Sequence, residues 1–203
     1  MDAHAPGPLP TSQGDDSPIA VLAEEHTLIL RAVELLERGL VRLEAGNSMG
    51  SPFFAALVEF FQVFADRYHH GKEEGILFPF MVAEMDYPQK GGPVAVLASD
   101  HTAGRAHVRA MADAAARLEA EPAATSEFLE HGQAYAVLLR AHIDREDHKV
   151  FPTVEDFLGP EERAGLGAAF ARFESAEGGQ RTVAHYADLV GTLERELGRP
   201  DCS

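Results

Sequence analysis

Apolar residues along this chain recur at three- and four-residue spacing, the signature of helices with one buried face, and no stretch shows the two-residue alternation of a strand. Ser17-Pro18 is an N-cap followed by proline at the first helical position. From there Ile19, Leu22, His26, Ile29, Leu30, Val33, Leu36, Leu40 and Leu43 mark one face, which predicts a long first helix ending at Gly46-Asn47. Ser51-Pro52 opens a second helix, whose face of Phe54, Leu57, Val58, Phe61, Phe64, Ala65 and Tyr68 leads into His69. Pro79 lacks an amide hydrogen and is expected to kink or end this helix, with Phe78 plugging the bundle end.

A loop over Tyr87 to Gly92 precedes a third helix, from Pro93 through Val94, Leu97, His101, Val108, Met111 and Leu118 to a break at Glu121-Pro122. The fourth begins near Thr125-Ser126-Glu127 and runs through Phe128, Tyr135, Leu138, Leu139 and His142 to Phe151-Pro152. After Gly159-Pro160, two shorter amphipathic segments, roughly 161–174 and 180–197, read as added helices. The expected fold is all-α: an up-down four-helix bundle over 18–155, with two additional C-terminal helices within 156–203 that pack on it. Residues 1–17, rich in Pro, Gly and Asp, are expected to form a disordered tail.

The chain repeats itself. His69-His70-Gly71-Lys72-Glu73-Glu74-Gly75-Ile76-Leu77-Phe78-Pro79 returns as His142-Ile143-Asp144-Arg145-Glu146-Asp147-His148-Lys149-Val150-Phe151-Pro152, the common pattern being H-x-x-x-E-[E/D]-x-x-[L/V]-F-P. Val21-Leu22-Ala23-Glu24-Glu25-His26-Thr27 is answered by Val96-Leu97-Ala98-Ser99-Asp100-His101-Thr102, each with an acid directly before the histidine. Two copies are too few for a solenoid and imply a pseudo-twofold domain whose halves meet at a shared site.

Positions i and i+4 of an α-helix lie about 40° apart on one face, so His69 with Glu73, and His142 with Glu146, point together into the bundle. His26 and His101 sit within the apolar stripes of their helices and face inward as well. Burying two carboxylates together is costly unless positive charge lies between them, and a pair of metal ions held by inward His and Glu resolves that cost. The candidate ligands are therefore His26, His69, Glu73, His101, His142 and Glu146, two histidines to each metal with both glutamates bridging. Imidazole and carboxylate without thiolate favour iron, with zinc as the alternative metal. His70, Glu74 and Asp147 fall about 100° or 140° from the ligand face and are expected to orient the histidines from outside. His4, His107, His131 and His148 match no partner pattern, and His185-Tyr186 reads as ordinary packing.

The net charge of −16 excludes a phosphate-neutralising surface, hence nucleic acid and anionic membranes as partners, and leaves small molecules or cations. The single cysteine, Cys202, forms no intrachain disulfide and fits a reducing compartment. No signal-peptide pattern or membrane-length apolar run is present, so a cytoplasmic location is expected.

At the quartet His26, His69-x-x-x-Glu73, His101 and His142-x-x-x-Glu146, with both Phe-Pro endings, residues 18–155 resemble the hemerythrin-like family, the HHE cation-binding domain. The resemblance implies a four-helix bundle around two iron ions in an oxo- or hydroxo-bridged non-haem di-iron centre that meets dioxygen, hydrogen peroxide or nitric oxide. Oxygen carriers of the family have a further histidine one turn after the third-helix histidine, where this chain has Arg105. They also take an aspartate at the position of Asp147, whereas the repeat favours Glu146. These departures point away from a plain oxygen carrier. The expected function is binding or reduction of a small oxidant, with catalase-like peroxide decomposition or another oxidoreductase activity as the enzymatic form. The alternatives are a non-enzymatic iron or oxygen sensor, an iron reservoir, or a structural zinc-binding bundle.

Overall fold

The computed structural model describes residues 17–46 and 49–198, so the expected tail over 1–17, apart from Ser17, and Cys202 lie outside the described residues. All regular structure among the described residues is helical, as the periodicity requires. The elements are α1 (Pro18–Glu44), α2 (Gly50–Phe60), α3 (Phe78–Glu84), α4 (Gly92–Ala115), α5 (Pro122–Arg145), α6 (Phe151–Phe157), α7 (Pro160–Ala176) and α8 (Gln180–Leu197). No helix among them is long and apolar enough to cross a membrane.

The Ser17 hydroxyl caps α1 by accepting the Ile19 amide at 3.2 Å, and it donates in turn to Glu155 of α6. Four rods form the bundle. The first is α1 and the third is α4. The second runs from α2 through π-helical segments Phe61–His70 and Glu73–Leu77 into α3, and the fourth from α5 through a π-helical segment Glu146–Val150 into α6.

Of the two outcomes expected at Pro79, a kink or an end, the end does not occur. Helix continues to Glu84 there, and beyond Pro152 to Phe157, because each proline stands in the first turn of a new α-segment directly after a π-turn. Its missing amide is not needed in that turn. The remaining bounds move by a few residues, α5 starting at Pro122 rather than Thr125.

Two apolar clusters fill the interior. One joins α1, α2 with the π-helical segment after it, α4, α5 and α8 around Leu36, Phe54, Phe61, Phe64, Met111 and Phe128. The other closes the opposite end with Leu22, Leu77, Phe78, Leu97, Phe151 and Val154, and α7 adds Leu166 and Phe170. The polar side chains of the repeat lie between them. The C-terminal helices pack on the bundle: α8 through Tyr186, Val190, Leu193 and Leu197, with Arg31 of α1 forking onto Glu194 through two bonds of 2.9 Å.

Close helix approach depends on small residues. A Cβ on Gly39 would lie 2.9 Å from the Phe53 ring and 3.1 Å from the Phe54 ring, both fully buried. Gly39→Ala gains at most about 1 kcal/mol of helix propensity against an overpacking cost of about 1–3 kcal/mol. A lower melting temperature with unchanged helical content is the expected outcome in a thermal scan.

Candidate metal centre

The four segments of the repeat deliver six inward groups. His26 comes from α1, His69 and Glu73 from the second rod, His101 from α4, and His142 and Glu146 from the fourth rod, all buried to 2% exposure or less. The histidines meet in pairs: His26 Nε2 lies 3.0 Å from His69 Nε2, and His101 Nε2 3.1 Å from His142 Nε2. Each glutamate spans both pairs. Glu73 is 3.5 Å from His69 and 3.3 Å from His101, and Glu146 is 3.4 Å from His26 and 3.1 Å from His142.

A surrounding ring of carboxylates orients the imidazoles. Nδ1 of His26 donates to Asp147 at 2.7 Å, Nδ1 of His69 to Glu25 at 2.8 Å, and Nδ1 of His101 to Glu74 at 2.7 Å, while Nδ1 of His142 faces Asp100 at 3.4 Å. An ionised carboxylate only accepts, so the proton sits on Nδ1 and the Nε2 lone pair points inward. Two such lone pairs about 3 Å apart repel unless a proton or a cation lies between them.

All four carboxylate oxygens of Glu73 and Glu146 lack a hydrogen-bond partner. Facing imidazoles attract them at 3.1–3.5 Å without being aligned to donate. Unsatisfied carboxylates in a native interior call for a positive partner. The donor set, imidazole nitrogen and carboxylate oxygen with no sulfur, fits hard to borderline cations.

Electrostatics agree. Burial disfavours a charged His26, yet its bond to Asp147 and the attraction of Glu146 and Glu73 push it up to about 10. His101 is raised in the same way to about 9 by Glu73, Glu74 and Glu146, again against burial. Burial would raise the carboxyls of Glu73 and Glu146, but the histidines around them hold both below the usual range. His26 and His101 are thus shifted toward their charged form, and Glu73 and Glu146 toward theirs.

Two groups of four could each hold a cation: His26, His69, Glu73 and Glu146, and His70, Glu73, His101 and His142. Glu73 belongs to both. His70 corrects the sequence reading, which placed it off the ligand face. Its ring is buried, stacks on His101 with centroids 3.8 Å apart, and faces Asp66 through Nδ1 at 3.4 Å. At 3.6 residues per turn His70 would fall off the ligand face, but Phe61–His70 is π-helical. A π-turn holds more residues, so adjacent side chains diverge by less than about 100°, and His69 and His70 both turn inward.

Glu74 and Asp147 take the outer, orienting positions expected of them. Glu25, Asp100 and Lys72 were missed. The signal for the first two was the acid preceding His26 and His101 in both halves, because in each copy that acid serves the histidine of the neighbouring rod. The signal for Lys72 was the basic residue at the same place in the second copy, Arg145, which bonds Asp100 at 2.5 Å; the side chain of Lys72 is fully buried. It donates to Glu25 and, at 2.9 Å, to Glu174 of α7, beneath which Tyr68 offers its ring at 4.5 Å. The C-terminal extension thus reaches the centre along Glu174, Lys72, Glu25 and His69. Gly71 lets α7 in, since a Cβ there would fall 2.7 Å from the Phe173 ring.

The Phe-Pro endings also act across halves. Phe151 stacks on His26 at 5.2 Å and Phe78 on His101 at 5.6 Å, shielding the polar layer from the bundle end. Arg105, standing where oxygen carriers have their further histidine, bonds Asp66 at 2.7 Å and Glu74 at 2.8 Å. His107 and His131 pair with each other at 3.1 Å away from the centre. Tyr186 packs on Phe60 and Phe64, in keeping with its expected structural role.

The family model for the hemerythrin HHE cation binding domain matches residues 17–154, from α1 into α6. No curated protein matches the chain.

Proposed function

Since the chain belongs to the hemerythrin HHE cation-binding family, we propose that its buried His and Glu layer holds two iron ions and binds or reduces a small oxidant, hydrogen peroxide or dioxygen ahead of nitric oxide. The observation that carries this reading is the set of four partnerless oxygens on Glu73 and Glu146, centred between two pairs of converging imidazoles. His26, His69, His101 and His142 would hold the metals, with His70 as a fifth histidine on one side and the two glutamates between them.

Iron would supply Lewis acidity and exchangeable electrons at this position. The protein's own residues provide the rest. Asp147, Glu25, Glu74 and Asp100 fix the tautomer and orientation of the four histidines, and raise their basicity as ligands. Phe78, Phe151 and the apolar cluster behind them exclude bulk water, which strengthens every charge interaction within the layer. The five-histidine, two-carboxylate set is unequal, three histidines on one side and two on the other, so the two metals would sit in different donor environments. Like the other occupants of such bundles, both metals would be embedded between rods rather than at the surface.

Metal content and an absorption spectrum in air test the proposal. About two irons per chain are expected, with visible bands that change on adding hydrogen peroxide and steady oxygen release or donor oxidation thereafter. Zinc in place of iron, or iron whose spectrum ignores peroxide, would overturn the redox reading in favour of a structural or sensing bundle.

A further inference from the structure

Beside the metal layer lies a cavity of about 230 Å³ between the π-helical part of the second rod, α4 and α5. His70 forms its inner end, Phe61, Val108 and Tyr135 its walls, and Arg105 and Arg109 stand toward its mouth with Asp66. The walls are buried and apolar, and Tyr135 meets Phe61 edge-on at 4.8 Å. Gly104 keeps the space open, because a Cβ there would already touch the Tyr135 ring at 3.4 Å.

The size exceeds what a two-atom oxidant needs. At about 30 Å³ of liquid volume per water, the space corresponds to some seven waters, enough for a single ring with a short polar head. Apolar walls with a few convergent polar groups are the usual make-up of a small-molecule site.

Charge selects the head group. Asp66 is already spanned by Arg105 at 2.7 Å and by His70 at 3.4 Å. Arg105 is occupied by Asp66 and Glu74. Arg109 is exposed and has no carboxylate partner among the described residues. An unengaged guanidinium at the mouth of an apolar cavity, in a chain of net charge −16, is a place for an anion brought in as part of a ligand.

We infer that this cavity binds a small aromatic monocarboxylate, its ring between Phe61, Val108 and Tyr135 against the outer face of His70, and its carboxylate on Arg109. The site goes beyond the oxidant chemistry proposed above and does not depend on it. It would place an organic co-substrate or effector directly against a histidine of the metal layer.

Benzoate is the probe, titrated into the metal-free protein so that no iron draws the carboxylate in, and followed by calorimetry and by the histidine ring resonances. Saturable binding is expected, with the His70 signals shifting and those of His148 unmoved. Arg109→Gln, an exposed change that leaves the fold intact, should weaken binding by about tenfold or more, the worth of one charge-assisted bond. Gly104→Val should abolish it while the circular dichroism spectrum is retained. Three results would each overturn the inference: no saturation by wild type, benzyl alcohol binding as tightly as benzoate, or Arg109→Gln binding like wild type. Because the titration uses metal-free protein, its failure would leave the iron reading untouched, and iron failing to load would leave this site untouched.

Discussion

Glu73→Ala will bind metal most weakly, losing a ligand from both groups, whereas Glu146→Ala will retain about one ion per chain and wild type about two. The two variants remove the same side chain from equivalent places in the repeat, so sequence symmetry alone would make them alike. The tertiary arrangement makes them differ. Glu73 belongs to both candidate groups and Glu146 to one, and the group without Glu146 keeps three histidines, His70, His101 and His142. Losing Glu73 takes the only carboxylate from that group and breaks the bridge to the other.

The stability consequence follows from linkage. An ion that binds only the folded chain stabilises it by RT ln(1 + [M]/Kd), about 4 kcal/mol at a thousandfold excess over Kd. Denaturant titration with and without Fe(II) under anaerobic conditions should show a shift of that order for wild type, a smaller one for Glu146→Ala and the smallest for Glu73→Ala. Equal metal content in the two variants would show that both glutamates bridge equivalently and that His70 is not a ligand.

Lys72→Met will destabilise the fold by about 3–5 kcal/mol, the cost of leaving a buried carboxylate without its cation. Lys72 is wholly buried and Glu25 is 6% exposed. Burial already lifts the Glu25 carboxyl above its ordinary range, against the pull of Lys72. Without Lys72 it rises further, so the folded variant binds a proton over a pH range in which the unfolded chain, with an ordinary glutamate, has lost it. Folding is then favoured by acid: the variant's deficit should be smallest near pH 5 and grow as pH rises above it. The double variant Lys72→Met, Glu25→Gln should recover most of the loss at pH 7, because neither member of the buried pair is then charged. Urea unfolding at pH 5 and pH 8 measures both effects, and a deficit independent of pH would mean that lost packing, not the orphaned carboxylate, sets the cost. The same substitution bears on the centre, since Glu25 orients His69, and Lys72 in turn joins Glu25 to α7.

These cases show where local pattern is informative. His26, His69, Glu73, His101, His142 and Glu146 were legible because each sits on an apolar stripe and recurs in the second half. A polar residue at a core position is conspicuous, and its repetition more so. Glu74 and Asp147 were legible as outer groups by their distance from that face. Asp100 and Glu25 were visible as a repeated acid but without a role, because their partners lie on the neighbouring rod and no spacing within one helix points there.

The amino-acid sequence by itself determined the all-α class, the course of the helices, the twofold repeat and the six inward groups, since these depend on periodicity within single segments. Only the tertiary structure decided the rest. Helix through Pro79, and His70 turned inward, both follow from π-turns, whose extra residue per turn leaves no mark in an apolar pattern read at 3.6. The Lys72 link to Glu174, the stacking of Phe78 on His101 and Phe151 on His26, and the cavity beside His70 join residues distant along the chain. Their energies come from burial and charge pairing between rods, which exist only once the rods have packed.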